Sequence, residues 1–283
     1  MGKHAIALIT DSTCDIPENL IQQYDITVIP EIVIWGEETL RDRVDITPEA
    51  FYQRLETDPR HPSTTLPSPA DFEKVYQDAI EGGAQNLLVA TVSSAMSGTY
   101  QLAKQIGDKM SVPVYVIDSK GPTMSLGWQV LAAARAREAG SAIEGMIAAA
   151  ERVRQKLVQI VCLDTLEYLH RGGRIGTATK FIGSLLDLKP LVRINHQSGL
   201  VEPAGRVLVE ARFRVGDDRF GGAFRFADTA INALVGVDDE HVLAFVEAIH
   251  RTYLHAIHIF ALYAIVGNNI SHEISGGHGR PGR

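Results

Sequence analysis

Val89 to Tyr100, VATVSSAMSGTY, is the stretch on which the reading of this chain turns. Leu87 to Ala90 forms a short apolar run whose length and polar borders suit a central strand of a parallel sheet. Ser93, Ser94, Ser97, Gly98 and Thr99 then bring hydroxyls and backbone NH groups to the carboxyl end of that strand, where open α/β sheets bind ligands. A helix beginning at this point has four NH groups without partners, and together with the hydroxyls they suit a phosphate or a carboxylate. One serine would be an ordinary helix cap. Two adjacent serines with Ser97 and Thr99 exceed what one cap requires.

Working outward, the same strand ending recurs. Ala5 to Thr10 is a hydrophobic strand that delivers Asp11, Ser12, Thr13, Cys14 and Asp15 into a loop, and Pro17 then opens a helix over Glu18 to Tyr24 for which Asp15 is the natural cap. Val112 to Ile117 is another strand, ending in Asp118, Ser119 and Lys120. Several strand ends therefore face one crevice. Between them, Thr27 to Trp35 reads as one strand with Pro30 marking an edge or bulge. Asp45 to Leu55 reads as a helix, Asp58 to Asp71 as a stiff proline-bearing loop carrying Thr64, Thr65 and Ser68, and Asp71 to Glu81 as a helix. Helices follow over Gly98 to Lys109, Trp128 to Ala139 and Ser141 to Arg154, which completes an α/β unit near residue 150.

The expected architecture is α/β with two α/β domains, residues 1–150 and 151–283, the first built on a mainly parallel Rossmann-like sheet, with a ligand between them. The second opens with a strand at Val158 to Leu163 and a short helix over 164–169, followed by Arg171, Gly172, Gly173 and Arg174, a turn able to bring a guanidinium back to the crevice. Leu188 to Ile194 and the run from Leu200, with Arg206 in it, read as strands around a turn at Gly199. Ala227 to Leu234 and Asp239 to His250 have helical texture, Tyr253 to Val266 reads as a buried helix, and the glycine-rich tail reads as a disordered end.

Composition narrows the function. In 283 residues the formal net charge is −7 and 45% of residues are hydrophobic, which suits a folded protein and argues against nonspecific nucleic-acid binding. Cys14 and Cys162 stand far apart without ligand spacing, and the amino terminus lacks the texture of a secretory signal, so a reducing cytoplasmic setting is expected. The longest apolar stretch, about 14 residues, falls short of a bilayer span, so no stable membrane insertion is expected. Neither the dinucleotide glycine pattern nor a phosphate-binding P-loop occurs, and there is no metal motif, so no cofactor and no metal are expected; His255 and His258 read as core or interface residues. A serine hydrolase acting on an acyl ester through Ser93 or Ser94 would need a base, and no GxSxG elbow is present. Hydroxyls and an arginine without a base or a metal fit binding better than turnover: they suit the carboxylate of an apolar ligand whose tail gains about 0.8 kcal/mol per buried methylene. A regulatory binder of another small anion remains an alternative.

The chain resembles the DegV family of two-domain fatty-acid-binding proteins of bacteria. The resemblance runs through ITDSTCDIP (Ile9 to Pro17), TTLPSP (Thr64 to Pro69), SSAMSGTY (Ser93 to Tyr100), IDS (Ile117 to Ser119), DTLEYLHRGGRIG (Asp164 to Gly176) and LLDLKPL (Leu185 to Leu191), covering about the first 210 residues in order. It implies a long-chain fatty acid held between the domains of a non-catalytic subunit, a monomer or weak homodimer. That subunit would present the acyl carboxylate to a separate ATP-dependent fatty acid kinase. It also implies carboxylate contacts at Thr64 and Ser93 with Ser94 nearby, Arg174 and Arg206 near the head or the partner-facing rim, and a head contact at His278. The sequence departs from the family pattern at Thr65 and Leu66, where a serine and a glutamine are usual. It departs again beyond Arg206, where the family's basic segment and its histidine-bearing ending survive only loosely as His278 to Gly282.

Overall fold

The computed structural model describes residues 4–163, 165–181, 188–208 and 243–249. The chain begins with β1 (Ile6–Asp11), a 3-10 turn over Ser12–Cys14, and α1 (Glu18–Gln23). Then come β2 (Ile26–Ile29), β3 (Ile32–Trp35), β4 (Glu38–Arg41), α2 (Pro48–Thr57), β5 (Ser63–Thr65) and α3 (Pro69–Glu81). β6 (Asn86–Thr91), α4 (Thr99–Gly107), β7 (Val114–Asp118), α5 (Met124–Glu138) and α6 (Ile143–Lys156) follow. The remainder is β8 (Leu157–Leu163), α7 (Glu167–Arg171), a 3-10 turn over Gly176–Phe181, β9 (Leu188–Asn195), β10 (Leu200–Leu208) and β11 (Leu243–Ile249).

The described strands form three sheets. The first is all parallel in the order β2-β1-β6-β7, the second is mixed in the order β10-β9-β8-β11, and the third is a small antiparallel β4-β3-β5 sheet. The α/β expectation is met, with one parallel and one mixed sheet.

Alternation along β1 and β6 builds two cores. Leu8, Leu88 and Ala90 point to one face, where they meet Val130 and Leu131 of α5 and Met146 of α6. Ile9, Leu87 and Val89 point to the other, against Phe72 and Tyr76 of α3 and Ala103 and Ile106 of α4. Because side chains in a strand alternate with period two, a one-residue slip of β6 would exchange the two faces. Helices on both faces of a parallel sheet leave its carboxyl ends as the open edge. A third core joins Val161 and Leu163 of β8 to Val192 and Ile194 of β9 and Val201 of β10, with Met96 from the turn after β6 packed against it.

Five local expectations are corrected. Residues 27–35 are not one strand: β2 joins the parallel sheet and β3 the antiparallel one, and Pro30, which has no NH to donate, stands with Glu31 at the break. The proline-bearing segment 58–71 is not all loop, since β5 within it pairs with β3, Thr64 opposite Val33. Asp15 does not cap α1, whose N-cap position is Pro17; its carboxylate instead pairs with Arg43 at 2.6 Å. Neither Ser93 nor Ser94 caps α4, whose N-cap is Gly98 and which starts eight residues beyond the end of β6. The expected helix over 239–250 is, for 243–249, the strand β11 paired in parallel with β8. The expected helices at 227–234 and 253–266, and the tail, lie outside the described residues.

No helix of the described residues is long and apolar enough to cross a membrane.

Candidate functional site

The carboxyl ends of β1, β6 and β7 are tied together by buried polar groups. Asp11 is 1% exposed. Its Oδ2 accepts from the Val92 NH at 2.7 Å, across from β1 to the turn after β6, and its Oδ1 accepts from Thr13 through both the NH at 3.1 Å and Oγ1 at 2.5 Å. Burial, partly offset by these hydrogen bonds, pushes the Asp11 carboxyl up to about 6. At the neighbouring end Asp118 accepts from the Ser94 and Lys120 NH groups, each at 3.1 Å, and pairs with Lys120 Nζ at 2.7 Å. Burial works against ionisation of Asp118, but the hydrogen bonds from Lys120 and Ser94 hold it below the ordinary carboxylate value.

A cavity of about 350 Å³ opens beside these strand ends, within the size range of small-molecule pockets. The loops at the carboxyl ends of the first sheet contribute Thr13, Glu31, Val92, Met96, Ser97 and Thr123, and β5 of the third sheet contributes Thr64; the second sheet contributes Gln159, Val161 and Leu163 from β8, Val192 and Ile194 from β9, and Val201 from β10. Thr64 and Arg174, both exposed, also line the cavity; the wall made by the second sheet is buried and, apart from Gln159, apolar. Arg174 leaves the turn at Gly172 and Gly173, the latter at φ 73°, and its guanidinium donates to the Met96 carbonyl at 3.1 Å and the Gly172 carbonyl at 2.5 Å. Those two bonds fix the planar group at the rim of the cavity.

Glu31, immediately after the break at Pro30, places a second carboxylate in the lining. Its Oε1 accepts from Thr99 Oγ1 at 2.8 Å, and its NH donates to Ser12 Oγ at 3.0 Å. Burial and then the nearby Asp11 charge push its carboxyl up to about 7, against the opposing pull of Thr99 and Arg174.

The sequence-derived candidates separate. Thr64 and Arg174 both line the cavity. Ser93 is fully buried and its hydroxyl is occupied: Oγ donates to the Gly199 carbonyl at 3.0 Å and accepts from the Ala95 NH at 3.2 Å, a bridge from the first sheet to the β9–β10 turn. Ser94 Oγ is 3.4 Å from Lys120 Nζ, itself paired with Asp118. Neither serine hydroxyl is hydrogen-bonded to a histidine or a carboxylate among the described residues, and the amine that donates to Ser94 is paired with Asp118. The Arg206 backbone lies in β10 opposite Pro190, and His278 lies outside the described residues. Glu31, Thr123 and Gln159 were missed. A signal existed for Gln159, the one polar residue on the inward face of an otherwise apolar strand.

The β9–β10 turn is held from several directions. Gly199 has φ 77°, and a Cβ there would fall 2.1 Å from Ser93 Oγ. His196, 8% exposed, is buried in the same turn, its carbonyl accepts from the Arg154 guanidinium, and burial followed by the Arg154 charge pushes its imidazole down to about 4. No group of three or more potential metal-binding side chains occurs among the described residues.

Comparison with known proteins gives a consistent picture. Residues 5–212 match the model of the DegV family, described as uncharacterised proteins. A DegV domain-containing protein of Streptomyces coelicolor is 32% identical over 273 residues, covering 94% of this chain and 95% of the relative. Among solved structures, a fatty-acid-binding DegV family protein from Thermus thermophilus is 37% identical with a TM-score of 0.66, covering 72% of this chain and 71% of the other. DegV of Bacillus subtilis, a fatty acid binding protein, is 27% identical with a TM-score of 0.65, covering 81% and 77%.

Proposed function

From the premise that this chain belongs to the DegV family, we propose that it binds one long-chain fatty acid in the cavity between its first and second sheets, with the carboxylate at the Thr64 and Arg174 end. The observation that carries this reading is the lining of one cavity: the exposed Thr64 and Arg174 share it with the buried, apolar strand faces of β8, β9 and β10. Each methylene laid against that wall contributes about 0.8 kcal/mol, so a long tail supplies the affinity and the rim sets orientation. The fatty-acid-binding relatives from Thermus thermophilus and Bacillus subtilis support the same ligand class.

In this reading the chain divides into a head-binding domain, residues 1–150, and a lipid-covering domain, residues 151–283. Ser93, through its bond to the Gly199 carbonyl, and Ser94, through Asp118 and Lys120, shape the head end, while Arg206 and His278 are head contacts on family resemblance alone. The protein is a non-catalytic cytoplasmic carrier that offers the bound carboxylate to a separate ATP-dependent kinase. Native mass spectrometry with lipid extraction tests the ligand: the expected result is one fatty acid per chain, and a lipid-depleted protein that takes up none would overturn the proposal. Acyl phosphate formed by an added fatty acid kinase and ATP only when the protein is loaded tests the carrier role.

A further inference from the structure

Successive residues of β8 point to opposite faces of its sheet, so Gln159, Val161 and Leu163 share the cavity face, and β9 continues it with Val192 and Ile194. Gln159 is 1% exposed. Its Nε2 donates to Thr123 Oγ1 at 2.8 Å, across from the second sheet to the start of α5, while its Oε1 is buried with no hydrogen-bond partner among the described residues. Thr123, which also lines the cavity, sits at φ 55° and ψ −146°, a backbone conformation that a β-branched residue rarely adopts and that persists only where its surroundings demand it. A link between the two sheets accounts for one end of the amide and leaves the other unexplained. A buried carbonyl oxygen without a partner has lost its water and gained nothing, a cost that a leucine at this place in β8 would not carry.

We propose that the cavity takes an acyl ligand carrying a hydroxyl group along its chain, and that this hydroxyl pairs with the Gln159 side-chain amide beside Thr123. A hydroxyl both donates and accepts, so it completes the amide whichever of its ends the threonine holds. The inference rests on the fatty-acid reading above and adds a specificity determinant to it, distant in kind from the carboxylate end: Thr64 and Arg174 fix the head, and Gln159 reads a polar mark on the tail.

The test is a binding series with lipid-depleted protein, using stearic acid and the positional isomers of hydroxystearic acid as probes, by calorimetry or competitive displacement. One or two neighbouring isomers are expected to bind about tenfold tighter than stearic acid, the ratio that one buried hydrogen bond supports. In Gln159→Leu that preference is expected to disappear or reverse, read within the variant as the ratio of hydroxystearic to stearic acid affinity. Gln159→Met, unbranched and close in length, is a second variant with the same expectation should the leucine disturb β8, and thermal unfolding of both confirms the fold. Equal affinity for every isomer and for stearic acid in the wild-type protein overturns the inference and leaves fatty-acid binding intact. So does a hydroxyl preference that survives in both variants. Failure to bind any probe, hydroxylated or not, overturns the fatty-acid reading and this inference with it.

Discussion

Two side chains at the strand ends have consequences that single substitutions expose. Glu31 keeps its proton in the folded protein up to about pH 7, against 4.5 for an ordinary glutamate, so between those values the folded state binds the extra proton and stability falls as pH rises. Below about pH 4.5 both states are protonated and the effect vanishes. Glu31→Gln is therefore expected to unfold at higher urea than the wild type above pH 7, with the difference closing toward pH 4; the repulsion between Glu31 and Asp11, relieved in the variant, adds to the difference in the same direction. Two proteins with parallel pH profiles would refute this. Ser93 makes the opposite kind of contribution. Its hydroxyl satisfies the buried Gly199 carbonyl, so Ser93→Ala is expected to lower unfolding free energy by ~1 to 3 kcal/mol, measured by denaturant titration without any ligand. No loss would mean that the bridge to Gly199 is not formed in solution.

The elements show which parts of the fold a linear reading reaches. β1, β6, β7 and β8 are short, apolar and bounded by polar residues, and each lies where its run predicts within a few residues. What the sequence hides is partnership. The apolar run 27–35 looks continuous, yet its halves pair with strands of different sheets, and only the tertiary arrangement makes Pro30 a break instead of a bulge. LAFVEAI at 243–249 fits a helical or an extended spacing equally, and its parallel pairing with β8, more than 80 positions away in the chain, decides for the strand. The site divides in the same way. A proline-bearing loop and a glycine pair mark the stretches that hold Thr64 and Arg174 as special backbone, but the choice of Thr64 over Thr65 and of Arg174 over Arg171 comes from the family resemblance, whereas Glu31 and Gln159 are ordinary residues made important by what faces them. Helix ends are intermediate in legibility: Ser68 and Asp71 form a reciprocal capping box at the start of α3. Ser68→Ala is expected to cost about 1 kcal/mol, read from the urea midpoint, while an unchanged midpoint would show that the box does not support the helix. In α5, Gly127 lies against the 3-10 turn so closely that a Cβ would fall 2.4 Å from the Cys14 carbonyl. Gly127→Ala is accordingly expected to destabilise although alanine is the better helix former, and a stabilised variant would show that α5 moves away freely.

At the scale of the molecule, the parallel sheet and the mixed sheet meet through the cavity and a few polar bridges, Ser93 to Gly199 and Thr123 to Gln159 among them. Filling the cavity adds apolar contact between the two sheets. A ligand at a hundred times its dissociation constant stabilises by about 2.7 kcal/mol, so stripping lipid is expected to lower the unfolding temperature and re-adding fatty acid to restore it. A scan indifferent to both would count against ligand binding between the sheets. The β9–β10 turn carries a different kind of consequence. Surface turns ordinarily accept extra residues, but here His196 is buried, its carbonyl is held by Arg154, and Gly199 sits against Ser93. The number of residues between Asn195 and Leu200 is thereby counted from both sides. One glycine inserted after Gln197 is expected to be far more disruptive than the same glycine inserted beside Gly83, an exposed turn with open space around it. Among proteins that keep this peg, length variation should therefore collect at the second kind of turn and spare the first.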